Sequence, residues 1–198
     1  IMNIKEGIEK RFSVRAFTNE VPDKDKIKEI LKLAGSAPSG GNIQPWKVYV
    51  LNEESKKELI EKTLHNFDNG VQEEIEYDIY PNPLADEYKK RRYECGADMY
   101  NALSIEKDDL DSRFKQIREN YNFFGAPLGM IITIDRSFGN NGWGHVGMFL
   151  ENLWLSAIHH GLGLCLQESW SIYPKTVKEI TNHPDNEIVW CGVAIGYE

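Results

Sequence analysis

Five consecutive residues near the start of the chain, Arg11-Phe12-Ser13-Val14-Arg15, combine two guanidinium groups with a hydroxyl. Alternate residues of an extended segment point to the same face, so Arg11, Ser13 and Arg15 would lie side by side. Guanidinium groups bind phosphate through charge-assisted hydrogen bonds. This arginine segment therefore predicts a phosphate clamp, although two arginines at this spacing are also common on an ordinary solvated surface.

A second segment, Ala37-Pro38-Ser39-Gly40-Gly41-Asn42-Ile43-Gln44-Pro45-Trp46, places a hydroxyl and two carboxamides beside a pair of glycines. We call it the polar loop. The glycines let backbone N–H groups approach a planar ligand closely, and Ser39, Asn42 and Gln44 supply hydrogen-bonding side chains. The polar loop predicts a cradle for a polar cofactor. The alternative is a loop with ordinary turn chemistry.

The elements around these two segments favour a joint role. Apolar residues from Ile27 to Ala34 recur at the spacing of an amphipathic helix, and Gly35 is a stop signal for it. Residues 46–51 form a β-branched and aromatic run that predicts a strand. The order along the chain is therefore phosphate clamp, helix, polar loop and strand.

This arrangement resembles the amino-terminal signature of the FMN-dependent nitroreductase family. In that family, an Arg-x-Ser-x-Arg or Arg-x-Ser-x-Lys stretch holds the phosphate and ribityl chain of FMN. An Ala-Pro-Ser-x-x-Asn-x-Gln-Pro-Trp loop reaches the same flavin from the other subunit. The sequence matches both motifs position by position. The resemblance implies that these residues bind FMN: Arg11, Phe12, Ser13 and Arg15 from one subunit, and Pro38, Ser39, Asn42 and Gln44 from its partner.

A third stretch, residues 161–170, supports the same resemblance. Its sequence is similar to the family segment whose loop lies over the flavin ring. The resemblance implies that the backbone N–H of Glu168 donates to flavin N5, with Leu166, Gln167 and Ser169 beside it. We call residues 166–169 the glutamate loop. Residues 123–127 and 191–197 resemble the branch that includes nitrobenzoate reductases, whereas residues 65–111 are the least diagnostic.

The resemblance also implies a fold, an assembly and a reaction. The fold is α+β, with a central, mostly antiparallel sheet flanked by helices and a long central helix at a homodimer interface. Residues 1–198 form a single FMN-binding domain. NAD(P)H reduces the flavin, and a nitroaromatic, quinone or similar acceptor then takes the electrons in the same pocket, a ping-pong cycle. The alternatives are specialised flavin chemistry, such as dehalogenation, desaturation or flavin cleavage, and a non-enzymatic flavin carrier.

The remaining residues predict the scaffold. Residues 144–160 predict a helix that is apolar in almost every direction, so it must be buried on all sides. In a chain of 198 residues, we expect a partner subunit to cover the second side. Apolar spacing predicts helices, and apolar runs predict buried strands, over five further ranges: helices over 53–66, 84–103 and 108–121, and strands over 128–134 and 188–195.

The composition argues against several classes of protein. A net charge of −8 disfavours nucleic-acid binding, because phosphate neutralisation needs a basic face. The basic run at residues 89–92 alternates with acids and predicts a solvated helix face. No apolar stretch approaches the roughly 20 residues that span a bilayer. Without a basic-then-apolar leader at the start, we expect a cytoplasmic protein that does not bind membranes.

We expect no metal site. Three widely spaced cysteines indicate neither a disulfide framework nor a metal knuckle. His159 and His160 are adjacent, so on a helix they diverge by about 100° and cannot face one ion together. Gly161 and Gly163 follow a predicted helix and lack a third glycine, which argues against a dinucleotide-binding fingerprint.

Overall fold

The computed structural model describes residues 3–198. Over these residues, seven α-helices, four β-strands and three short 3-10 helices follow one another. The α-helices are α1 (Ile4–Lys10), α2 (Lys24–Ala34), α3 (Glu53–Asp68), α4 (Asp86–Ala102), α5 (Leu110–Arg118), α6 (Asn140–His159) and α7 (Pro174–Thr181). The strands are β1 (Trp46–Val50), β2 (Leu128–Asp135), β3 (Gly163–Gln167) and β4 (Glu187–Gly196). The 3-10 helices are Gly40–Asn42, Glu119–Gly125 and Glu168–Ile172.

The strands form one sheet in the order β1-β2-β4-β3, and every neighbouring pair is antiparallel. The expected α+β class with an antiparallel sheet is therefore confirmed. The register shifts between β2 and β4, where Ile132 pairs with Cys191 but Thr133 pairs with Val189. Trp190 is the additional residue of this β-bulge.

The sheet separates two hydrophobic clusters, because successive side chains of a strand point to opposite faces. Met130 and Ile132 of β2 lie in the cluster that includes residues of α2 and α6. Ile131, between them, lies in the cluster with residues of α3, α7 and two 3-10 helices. The long helix α6 thus packs on one face of the sheet, where its Phe149 stacks on Trp46 at 5.0 Å between ring centroids.

Most predicted elements are present to within a few residues of their predicted bounds, but two predicted helices differ and three further elements were not predicted. The helix predicted over 108–121 ends at Arg118, because the chain continues as a 3-10 helix with left-handed φ angles at Phe123 and Phe124. Helix α6 begins four residues earlier than predicted. Its Met148 is 41% exposed in the protomer, so the expected burial of this helix by a partner subunit stays a prediction. The helices α1 and α7 and the strand β3 were not predicted.

None of the helices within residues 3–198 is both long enough and apolar enough to cross a membrane.

Among the glycines of the described residues, Gly192 in β4 leaves the least space for a Cβ. A Cβ at this position would overlap the indole of Trp170, which is fully buried and stacks on Phe123 at 4.5 Å between ring centroids. We expect Gly192→Ala to lower the free energy of unfolding by about 1–3 kcal/mol or more, as overpacked cores do. Urea denaturation of the purified protein measures this change.

Gly96 provides the matched control. It lies in α4, and a Cβ there would meet no atom within 4 Å. Gly96→Ala should raise stability by up to about 1 kcal/mol, because alanine is the better helix former. Equal urea midpoints for the two variants would contradict the packing described at Trp170.

Candidate functional site

The arginine segment lies directly against β3. Ser13 forms a parallel bridge with Leu164, and the N–H of Val14 donates to the carbonyl oxygen of Leu164 at 3.1 Å. The Val14 side chain is buried, and its Cγ2 lies 2.7 Å from the place that a Cβ on Gly163 would occupy. A glycine at position 163 therefore permits this close approach, and the segment is fixed to the sheet.

Both guanidinium groups of this segment rest on aromatic rings. The Arg11 guanidinium carbon lies 4.6 Å from the ring centroid of Trp154, and that of Arg15 lies 5.8 Å from the ring centroid of Phe124. Trp154 and Phe124 belong to the two different hydrophobic clusters, so the two arginines are anchored from opposite layers of the fold. Nη1 of Arg15 also donates to the carbonyl oxygen of Ser13 at 3.4 Å.

Among the described residues, neither Arg11 nor Arg15 forms an ion pair with a carboxylate. In a chain with a net charge of −8, two unpaired guanidinium groups on one five-residue segment are a feature that requires explanation. Guanidinium groups with free N–H donors are suited to a phosphate. The donor set of the arginine segment therefore fits the phosphate of a nucleotide cofactor.

The glutamate loop begins in β3 and continues into the 3-10 helix Glu168–Ile172. Gln167 is only 2% exposed, and its side chain holds the loop from inside the protein. Its Nε2 donates to the carbonyl oxygen of Asn120 at 2.6 Å, and its Oε1 accepts from Nε1 of Trp170 at 3.3 Å. Of the predicted site residues, Gln167 therefore has its side-chain amide committed to the scaffold.

Each of the two residues after Gln167 has a polar group that the surrounding protein affects. Oγ of Ser169 is buried, and it has no hydrogen-bond partner among the described residues. An unpaired buried hydroxyl typically costs about 1–3 kcal/mol, so a polar ligand at this loop would offset that cost. The Glu168 residue is exposed at the surface, but the protein around its carboxyl removes enough water to raise the pKa of that group. Its backbone carbonyl accepts from Oγ of Ser171 at 2.7 Å. Leu166 is partly buried beside them.

The polar loop is shaped by left-handed backbone conformations. Gly41, Asn42 and Gln44 have φ angles of 59°, 55° and 52°. Within the loop, the N–H of Gln44 donates to Oγ of Ser39 at 3.0 Å, and Nε2 of Gln44 donates to the carbonyl oxygen of Asn42 at 3.2 Å. The side chains of Asn42 and Gln44 are exposed, as is Pro38. The loop therefore presents its polar groups to its surroundings.

His145 of α6 anchors the polar loop, because the N–H of Gly40 donates to its Nε2 at 3.1 Å. Trp154, which supports Arg11, lies on the same helix nine residues later. Nine residues correspond to about 14 Å and about two and a half turns of an α-helix. Within one protomer, the polar loop and the arginine segment are thus attached to opposite sides of α6.

A cleft of about 1220 Å³ lies apart from these segments. It lies between α3, residues 71–76 and α7, and its lining carries both basic and acidic side chains. None of the sequence-predicted site residues lines it. The arginine segment and the glutamate loop therefore lie outside this cleft.

The three cysteines within residues 3–198 differ in their exposure to solvent. Cys165 and Cys191 are buried and Cys95 is exposed, and all three are free thiols. Burial raises the pKa of the Cys165 thiol to about 11, against the opposing effects of Arg15 and Ser13. Across residues 3–198, no cluster of three or more His, Cys, Asp or Glu residues is arranged to hold a metal ion.

The sequence of nearly the whole chain is similar to known proteins. Residues 8–197 match the model described as the Nitroreductase family. The chain is 34% identical over 191 residues to the 4-nitrobenzoate reductase of Nocardioides sp. (strain LMS-CY), covering 95% of this chain and 77% of that protein.

Two solved structures are similar over nearly the full length. The FMN and NADPH-dependent nitroreductase NfnB from Sphigopyxis sp. strain HMH superposes with a TM-score of 0.94 at 35% identity, covering 99% of this chain and 88% of that one. The FMN-dependent nitroreductase NfnB from Mycobacterium smegmatis, solved in complex with NADPH, superposes with a TM-score of 0.92 at 26% identity, covering 98% of this chain and 86% of that one.

Proposed function

Because the chain belongs to the nitroreductase family, we propose that it is an FMN-dependent oxidoreductase that transfers electrons from NAD(P)H to nitroaromatic, quinone or similar acceptors. The cycle is ping-pong, with reductant and acceptor using one pocket in turn. Residues 1–198 act as a single FMN-binding domain. The proposal rests on Arg11 and Arg15, whose guanidinium groups form no ion pair among the described residues. The segment that contains them is bonded to β3, the strand that continues into the glutamate loop.

Different residues of the chain bind and orient FMN. Arg11, Ser13 and Arg15 hold the phosphate and ribityl chain, and Phe12 lies exposed beside them. The backbone N–H of Glu168 is directed to flavin N5, and the buried hydroxyl of Ser169 gains a partner. FMN, when bound, supplies the hydride chemistry itself, so no side-chain acid or base is required of the protein.

We further propose a homodimer with the flavin sites at the subunit interface. The polar loop and the arginine segment are attached to opposite sides of α6, so one protomer does not bring them to a common ligand. In a dimer, Pro38, Ser39, Asn42 and Gln44 of one subunit complete the site of the other. The exposed side of α6 at Met148 gives the partner subunit an apolar surface to cover.

The visible absorbance spectrum of the purified protein, recorded anaerobically before and after addition of NADH or NADPH, tests the proposed reaction. We expect flavin bands that bleach with at least one nicotinamide and return when a nitroaromatic is added. The nicotinamide that bleaches the bands faster is the preferred reductant. Bands that resist both nicotinamides would contradict the reductase and favour a carrier or specialised flavin chemistry. A colourless protein that cannot take up FMN would refute the site itself.

A further inference from the structure

A second concave site lies on α4, apart from the segments that carry the proposed flavin chemistry. It is a pocket of about 330 Å³ between α4 and residues 107–113. Four of its nine lining residues are cationic, and none of the nine carries a carboxylate. In a protein of net charge −8, this is a local concentration of positive charge. We call it the basic pocket; its lining comprises Leu84, Lys89, Arg92, Tyr93, Gly96, Ala97, Tyr100, Lys107 and Arg113.

The guanidinium groups of the basic pocket are placed on tyrosine rings, not on acids. The guanidinium carbon of Arg92 lies 4.2 Å from the ring centroid of Tyr80, and that of Arg113 lies 4.3 Å from the ring centroid of Tyr100. Nε of Arg113 also donates to the carbonyl oxygen of Glu106 at 3.3 Å. Stacking covers the face of a guanidinium and leaves its edge, with the N–H donors, available for an anion.

The basic run at residues 89–92 thereby divides into two pairs. Lys90 and Arg91 lie outside the pocket and face acids one turn away on α4, at 3.8 Å and 3.4 Å, as predicted for a solvated helix face. Lys89 and Arg92 line the pocket instead. The ion pair of Lys89 involves Asp86, whose side chain is 98% exposed, so this contact is weak in water.

We propose that the basic pocket binds an oxyanion carried on an aromatic or heteroaromatic ring. The cationic side chains hold the carboxylate or phosphate, and the rings of Tyr93 and Tyr100 contact the planar group. A volume of about 330 Å³ suits a ligand of one or two rings. Two sources share this chemistry: an aromatic carboxylate, and the phosphate-bearing adenosine half of a nicotinamide dinucleotide. Ligand binding at the basic pocket does not depend on the proposed flavin chemistry.

Isothermal titration of the flavin-loaded protein tests the proposal with two probes, 4-nitrobenzoate and adenosine 2′,5′-bisphosphate. Their uncharged counterparts, nitrobenzene and adenosine, control for binding of the ring alone. The pocket variant is Lys89→Gln with Arg92→Gln, and the matched control is Lys90→Gln with Arg91→Gln. Both variants remove two positive charges from residues 89–92 of one exposed helix. Arg113→Gln tests the opposite wall if the first variant fails to fold.

We expect at least one charged probe to bind the native protein more tightly than its uncharged counterpart, and less tightly as salt increases. The pocket variant should bind that probe about tenfold more weakly, and the control variant within about twofold of the native protein. Weakening for 4-nitrobenzoate alone identifies a carboxylate as the ligand group, and weakening for the bisphosphate alone identifies a nucleotide phosphate.

Two results would overturn the basic pocket. One is a native protein that binds neither charged probe better than the uncharged molecules. The other is an equal loss of affinity for the charged probe in the pocket and control variants. That result would mean that the probe responds to the total charge of α4 and not to the pocket. The titration measures binding and not turnover. Either result can therefore be distinguished from failure of the proposed reductase activity, which the anaerobic spectrum measures.

Discussion

Replacing both arginines of the arginine segment, Arg11→Ala with Arg15→Ala, is expected to yield a protein that loses its flavin during purification. Each substitution removes charge-assisted hydrogen bonds worth about 1.5–3 kcal/mol. The two together correspond to a rise in the FMN dissociation constant by a factor of roughly 10² to 10⁴. The lower end is expected, because Arg15 is exposed and its interactions are screened by solvent. Fluorescence titration of the flavin-free protein with FMN measures the change.

Two controls separate the phosphate clamp from a general effect of charge or folding. Riboflavin lacks the phosphate, so its affinity should change little in the double variant. Lys5→Ala with Lys10→Ala removes the same charge from α1, directly before the arginine segment, and should leave FMN affinity within about threefold of native. A double arginine variant that purifies with a full complement of flavin, or that loses riboflavin equally, contradicts the clamp.

The features that sequence reasoning predicted well are those with a local signal. The helix from Ile27 to Ala34 and the buried strands around 128–134 and 188–195 follow from periodicity and apolar runs, and the structure contains them as α2, β2 and β4. The candidate segments were also found locally, because glycines, amides and arginines cluster there within a few residues. These local signals identified the groups that could bind a cofactor, but not the residues that hold those groups in place.

The supports of the site come from distant parts of the chain, where no pattern in the sequence marks them. Arg11 rests on Trp154 and the polar loop is tied to His145, both on α6 and more than a hundred residues away. Predicting these contacts requires knowing how α6 crosses the sheet. The stacking of Arg15 on Phe124 likewise depends on the 3-10 helix Glu119–Gly125, of which only the first three residues lay within the helix predicted over 108–121.

Gln167 shows how one missed element changes the interpretation of a residue. In a loop, its amide would be free to face a cofactor. In strand β3 it lies two residues after Cys165 and therefore shares that residue's buried face, which explains why its amide bonds to Asn120 and Trp170. Recognising residues 163–167 as a strand would have placed the Gln167 side chain on the same face as Cys165 from the sequence alone, whereas its contact with a cofactor stays a prediction.

Two variants that are each inactive are expected to form an active enzyme when they are paired in one dimer. The first carries Arg11→Ala and Arg15→Ala. The second carries Asn42→Gly and Gln44→Gly, which remove the side chains of the polar loop while suiting its left-handed φ angles of 55° and 52°. Heterodimers isolated through two different affinity tags should reduce a nitroaromatic at about half the native rate per dimer, because one of the two sites contains both native segments.

The arrangement of the same four substitutions on a single chain supplies the matched control. When that chain is paired with a native chain, each site of the dimer contains one altered segment, provided that the polar loop acts on the partner's flavin. This heterodimer should therefore be nearly inactive, although it carries the same substitutions as the active one. If both segments of a site came from one chain, the two results would be reversed. The comparison thus distinguishes a flavin shared between subunits from one held within a protomer, without relying on the stability of either variant.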